Sequence, residues 1–243
     1  MSNLTFRLAS QYFIGLIFLL AYVYLVYDYS INNHWSVLSF LIVLGALYLA
    51  DALSGVIHFY LDYRPCPSGV GLKELFFYNG NKGSAEYIAL RRKTMTRVNA
   101  FEELVFDFKI HHPSPDTLGR RGLIKLTLGA VVFAGFPVSL VLVALTYFDL
   151  MNAHLMLFCL VLIGAIVISQ YAHSCAHKKT VPFIPKLLQK SYLFITTERH
   201  DVHHRTLDRD FCTLNGWANV LVNMIFNIFN KYNLIDKSGL EPK

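Results

Sequence analysis

Eight of the ten histidines in this chain fall into four tight groups: His58; His111 with His112; His173 with His177; and His200 with His203 and His204. His34 and His154 stand alone. Imidazole is the commonest nitrogen ligand for transition metals. Two histidines at i and i+4, as in His173/His177, share one helical face and can share a metal. The HxxHH run of His200, His203 and His204 brings three rings to one side of a helix. His111 and His112 are adjacent, and Pro113 ends any helix near them. Their side chains diverge by about 100° on a helix, so they can serve different ions. One zinc takes about four ligands, so eight imidazoles point to two ions. The four cysteines, Cys66, Cys159, Cys175 and Cys212, form no CxxC pair and read as free thiols. A nitrogen-rich set with so few thiolates excludes an iron–sulfur cluster. Two irons with open positions for dioxygen fit best. Such a centre can attack an unactivated C–H bond of a lipid chain, which acid–base groups alone cannot do.

Three carboxylates accompany the histidines. Asp51, Gly55, His58 and Asp62 follow at i, i+4, i+7 and i+11, one face of a helix. Asp51 falls in the inner third of an apolar span, where an ionisable group needs a partner. Asp51 or Asp62 is expected to accept a proton from a ligating imidazole and fix its tautomer. Asp201, inside the HxxHH run, is a third candidate for that supporting role.

The elements that must position these groups are membrane helices. The 243 residues are 54% hydrophobic and 16% charged, with mean hydropathy +0.41. That is too apolar for an ordinary soluble domain. Four apolar stretches, about 11–27, 35–57 (continuing as helix through Asp62), 123–148 and 155–174, approach the ~20 residues needed to cross ~30 Å of hydrocarbon. Gly135 and Pro137 predict a kink in the third. The first block follows a short polar start and has no convincing cleavage site, so it reads as a retained anchor. The expected fold is all-α, a single domain over 1–243 with four transmembrane helices. A polar insertion spans 64–109, with a turn cluster at Asn79–Gly83 and a basic run of Arg91, Arg92, Lys93 and Arg97 suited to lipid phosphates or solvent. A histidine-rich tail spans 175–243, and its Asn-dotted apolar part, Gly216–Leu234, reads as a helix lying in the membrane interface.

Charge sets the topology. The loops at Asp28–His34 and Asp149–His154 contain no Lys or Arg, and all 22 basic residues lie on or near the other face. By the positive-inside rule that face, with both termini, is cytoplasmic. The same rule accounts for the net charge of +6 without a nucleic-acid partner. All eight grouped histidines fall on the basic face, and His34 and His154 on the opposite one.

The motifs DALSGVIHFYLD (Asp51–Asp62), FKIHHPSPDTL (Phe108–Leu118), QYAHSCAH (Gln170–His177), LLQKSYLFITTERHDVHH (Leu187–His204) and FCTLNGWAN (Phe211–Asn219) resemble the lipid desaturase family. That family includes the plasmanylethanolamine desaturases of animals, the bacterial CarF proteins, and a plant plastid desaturase acting on phosphatidylglycerol. The resemblance covers roughly 35–62 and 106–220 and matches all eight family histidines. It departs at Phe59, where the family has Trp, and at Ser174–Cys175, where it has Lys-Trp. The stretch from His58 to His111 is also longer. These departures bear on substrate and electron donor. The resemblance implies a membrane phospholipid substrate, two iron ions and O2. It further implies an external electron donor of cytochrome b5 or ferredoxin type, and formation of the vinyl ether of a plasmalogen. Fatty-acyl desaturation and hydroxylation of a phospholipid chain are the enzymatic alternatives. A membrane metal-binding or transport protein is the non-enzymatic one, disfavoured because the histidines gather at one face rather than the midplane. Bacterial inner membrane and endoplasmic reticulum are both open as locations.

Overall fold

The computed structural model describes residues 3–237, and all regular structure among them is helical. Four helical segments are long and apolar enough to cross a membrane. They are α1 (Asn3–Asn32, apolar from Ala9), α2 (Val37–Tyr63), the composite Leu123–Tyr147, and α9 (Ala153–Ala176). Side chains set the starts of α2 and α9. Ser36 accepts from the Ser39 N–H and Ser39 returns the bond, a capping box for α2. Asn152 caps α9 through the N–H groups of His154 and Leu155.

The third span contains the expected irregularity. Between α7 (Leu123–Ala130) and α8 (Phe136–Tyr147) lies a π-helical turn, Val131–Gly135, with Pro137 just after it. Proline lacks the N–H that would bond back into the preceding turn, so the wider turn absorbs the break. Gly135 also admits the Phe18 ring of α1, because a Cβ there would fall 2.8 Å from it.

α9 is central and α1 peripheral: 39% of the most apolar stretch of α9 is buried, against 11% for α1. α2 packs along α9 through the small residues Ala50, Ala165 and Ala172, joined by Phe194 and Leu214. Small side chains let membrane helices approach closely. A second cluster joins Phe18, Leu25 and Tyr29 of α1 to Val131, Leu142, Leu157 and Leu160. The outward faces of the spans carry Leu16, Leu20, Phe40, Leu41 and Val141, all exposed, as lipid contact requires.

The 64–109 insertion forms three helices, α3 (Leu72–Phe76), α4 (Ala85–Met95) and α5 (Ala100–Lys109). They have their own small core of Leu72, Leu75, Phe76, Tyr87 and Phe106. Asp107 pairs with Arg91 at 3.2 Å and with Arg121 at 3.5 Å, tying α5 to α4 and to the start of the third span. α6 (Asp116–Gly119) and α10 (Phe183–Lys190) are short connectors, and α11 (Thr197–Thr206) carries the HxxHH run. α12 (Asn219–Lys231) lies in the stretch read as an interfacial helix. It buries Val222 and Phe226 against Phe59 and Tyr63 of α2 and leaves Val220, Met224 and Ile228 exposed. No disulfide joins the four cysteines.

Candidate metal centre

Residues near the C-terminal ends of α2, α5, α9 and α11 meet at one place. Helix C-termini carry partial negative charge, so their convergence favours a cation. α2 delivers His58 and Asp62, and the turn after α5 delivers His111 and His112. α9 and its cap deliver His173 and His177, and α11 delivers His200, His203 and His204. Their donor atoms sort into two groups. One contains His111, His173, His177, His200 and His204; the other contains His58, Asp62, His112 and His203. Within each group the donor atoms lie within 4.8 Å of one another. The groups adjoin: the His58 ring centroid lies 5.3 Å from that of His173, and the His112 centroid 4.8 Å from that of His204. The neighbours His111 and His112 fall in different groups, as do His203 and His204. His34, in the α1–α2 loop, and His154, in the first turn of α9, are exposed at the far ends of the spans.

Backbone carbonyls set the tautomers. The His111 Nδ1–H donates to the Phe108 carbonyl, which turns Nε2 inward. The His203 Nδ1–H donates to the Arg209 carbonyl at 3.0 Å, which aims Nε2 at Asp62. Asp62 is the carboxylate at the centre. Its Oδ1 lies 2.9 Å from His112 Nε2, and its Oδ2 lies 3.2 Å from His203 Nε2 and 3.4 Å from His58 Nε2. Phe108 and Phe211 close the sides, with ring centroids 4.8 Å from His58 and 4.9 Å from His203 respectively. Such walls exclude water and lower the local dielectric.

The other two carboxylates belong to neither donor group. Asp51 is fully buried beside the Thr213–Ala218 loop. Its Oδ1 accepts the N–H groups of Leu214, Asn215 and Gly216 at 3.0–3.2 Å, and its Oδ2 accepts that of Ala218 at 2.9 Å. Its partner is therefore a backbone loop rather than an imidazole. Asp201 is 55% exposed, pairs with Arg205 at 3.4 Å and lines the cavity that opens over the centre. Residue types gave no signal for Phe108 and Arg209, because their carbonyls do the work.

The donor set fits metal ions. His111 Nε2 and His177 Nε2 are buried without a hydrogen-bond partner. Leaving buried polar atoms unpaired costs about 1–3 kcal/mol each, which coordination would offset. His200 Nε2 lies 2.8 Å from His173 Nε2 and 3.1 Å from His204 Nε2. With metal–nitrogen bonds of about 2.1 Å, ligands at right angles stand ~3.0 Å apart. The rings are also in the right charge state. Burial, reinforced by neighbouring imidazoles, holds His111 and His200 well below the ordinary histidine range. The same causes bring His177 to about 4 and His204 to about 2. All four are neutral at pH 7, with lone pairs free to bind metal. No cysteine belongs to either group.

Two cavities flank the centre. One, of about 270 Å³, opens over it and is lined by His112, Pro115, His177, Thr197, His200 and His204 among others. The other, of about 410 Å³, also reaches His177 and lies between α6 and the end of α9.

The lipid desaturase domain family matches residues 98–242, which include seven of the eight grouped histidines, all but His58. A plasmanylethanolamine desaturase of Myxococcus xanthus is 24% identical over 146 residues, 58% of this chain and 50% of that protein. The chain thus spans about half the length of this curated relative. No solved structure matches significantly. With the domain match covering more than half of its length, the chain belongs to the lipid desaturase family.

Proposed function

We propose that this protein is a membrane-bound, di-iron, oxygen-dependent desaturase that converts plasmanyl phospholipids to plasmalogens. The observation that carries the reading is the pair of adjoining donor groups, eight imidazoles and one carboxylate, at the ends of apolar spans. His111, His173, His177, His200 and His204 would hold one iron, and His58, Asp62, His112 and His203 the other. Bound iron supplies the oxidising power for dioxygen to take two hydrogens from adjacent unactivated carbons. The balance is one O2, two electrons and two protons consumed with the two substrate hydrogens, giving two waters and a carbon–carbon double bond. The electrons come from a donor of cytochrome b5 or ferredoxin type. Asp62 contributes the only carboxylate charge in the set and orders three rings around it. Phe108 and Phe211 keep bulk water from the reacting carbons. The cavity beside Pro115 and Thr197 provides access to the centre. In this reading one domain spans 1–243, and the basic face, with both termini and the metals, is cytoplasmic, in a bacterial inner membrane or the endoplasmic reticulum. Outward apolar residues of α12 rest in the interface.

The test is lipid analysis of cells that make ether phospholipids but no plasmalogens, with and without the gene. New vinyl ethers in the wild-type strain, lost with His200→Ala, are expected. A shifted acyl double bond would assign the fatty-acyl reaction instead, and a hydroxylated chain a hydroxylase. No lipid change from a protein with iron bound would overturn desaturation altogether.

A further inference from the structure

The 410 Å³ cavity is lined by Asp116, Arg120, His177, Lys178 and Lys179, with Gly119 in its wall. Arg120 stands three residues before the third span, and Lys178 and Lys179 directly follow the fourth. The cavity therefore sits where two adjacent spans leave the hydrocarbon, at the level of phospholipid headgroups. Its wall is held firmly. The Ser174 hydroxyl donates to the Leu118 carbonyl at 3.0 Å, and the Lys178 ammonium to the Gly119 carbonyl at 2.9 Å. Gly119 permits this contact, since a Cβ there would fall 2.6 Å from the His177 carbonyl oxygen. Arg120 and Lys179 remain exposed, and Asp116 lies near Arg120 at 3.9 Å.

We propose that this cavity binds the headgroup of an aminophospholipid substrate, with Arg120, Lys178 and Lys179 on the phosphate and Asp116 on the ammonium. Three cations beside one carboxylate complement a zwitterion carrying a phosphate and an amine. Arginine and lysine are the usual phosphate partners, in fork and point-charge form. His177 makes the site relevant to the reaction, because it lines both cavities and belongs to the five-histidine group. A headgroup held against His177 leaves only the glycerol backbone between the phosphate and the first carbons of the chain. Those proximal carbons, rather than a mid-chain pair, are then brought toward the centre. The assignment rests on the desaturase reading above and specifies where its substrate is held.

The test is native mass spectrometry of the purified full chain, with its bound metal, in a non-ionic detergent. The probes are phosphatidylethanolamine, phosphatidylglycerol and diacylglycerol with identical chains. Phosphatidylethanolamine is expected to be retained about tenfold better than diacylglycerol, the value of one charge-assisted contact. Arg120→Ala combined with Lys179→Ala should erase that preference at unchanged metal content, and Arg120→Lys with Lys179→Arg should keep it. Asp116→Asn should reduce the preference for phosphatidylethanolamine over phosphatidylglycerol. Equal retention of diacylglycerol, or an unaffected double-alanine variant, overturns the site. Displacement of the lipid by millimolar inorganic phosphate would mark a free-phosphate site and overturn it as well. None of these readouts needs turnover. A wild-type protein that binds the lipid as described but leaves every lipid chain unchanged would sink the desaturase reading and leave the headgroup site standing.

Discussion

Replacing Asp51 should unfasten the Thr213–Ala218 loop. The carboxylate accepts four backbone N–H bonds from Leu214, Asn215, Gly216 and Ala218 and is wholly buried. Gly216, at φ +79°, lets successive N–H groups point to one side. Asp51→Ala leaves four buried donors unsatisfied; at about 1–3 kcal/mol each, the loss is at least about 4 kcal/mol. Asp51→Asn keeps an acceptor at Oδ1 but turns an amine toward the Ala218 N–H. Three bonds weaken from charged to neutral strength, about 1 kcal/mol each, and one is lost. Removing a buried charge returns part of that, so a net loss of about 2 kcal/mol is expected. Ser54→Ala removes the acceptor of the Thr213 N–H, a neutral bond worth about 1 kcal/mol. Trp217 reports on the loop directly, and Trp35→Phe removes the only other indole. Unfolding of the three variants in mixed micelles, followed by Trp217 fluorescence, should rank them Asp51→Ala, Asp51→Asn, Ser54→Ala. An Asp51→Asn protein as stable as its parent, or as weak as Asp51→Ala, would refute the clamp.

Four further outcomes are expected. His200→Ala should abolish vinyl ether formation and lower bound iron while the protein still inserts; normal turnover would remove His200 from the ligand set. On the proposed two-iron reading, Asp62→Ala should reduce iron toward one per chain, measured by elemental analysis, because the second group keeps only three imidazoles; undiminished iron would place Asp62 outside the ligands. The metal-free protein should lose stability as pH falls from the ordinary histidine value of 6.5 toward about 4. In that window the unfolded chain binds more protons than the folded one, since His177 is depressed in the fold, so stability rises with pH; a flat melting profile over that range would contradict it. Gly119→Ala should cost about 1–3 kcal/mol by thermal melting, because its Cβ meets backbone rather than a movable side chain; an unchanged melt would show that α6 gives way easily.

The spans were legible because ~20-residue apolar runs have few other uses. The grouping of the histidines was legible because helical spacing is a local property. The carboxylates were harder. Asp51 and Asp62 share one face of α2 with His58, but helical rise separates them by ~16 Å. Only tertiary packing decides that Asp62 meets the imidazoles and Asp51 meets a loop far along the chain. Asp201 adjoins His200 in sequence yet turns ~100° away from it. The carbonyls of Phe108 and Arg209 orient His111 and His203 without any residue-type signature. The kink expected at Gly135 and Pro137 becomes a π turn, since proline removes a bond without dictating which wider turn replaces it.

The donor groups also dictate an order of assembly. Each draws on at least three chain segments far apart in sequence, so neither can form early in synthesis. The first-made ligands, His58 and Asp62, wait until α11 has emerged before His203 can join them. Closing such long loops has an entropic cost that grows only slowly with length, and bound metal would offset it by stapling α2, α5, α9 and α11 together. Metal occupancy thus reports completed folding, and a chain starved of iron should expose its histidine end to proteases first, while α1 and the rest of the bundle stay packed.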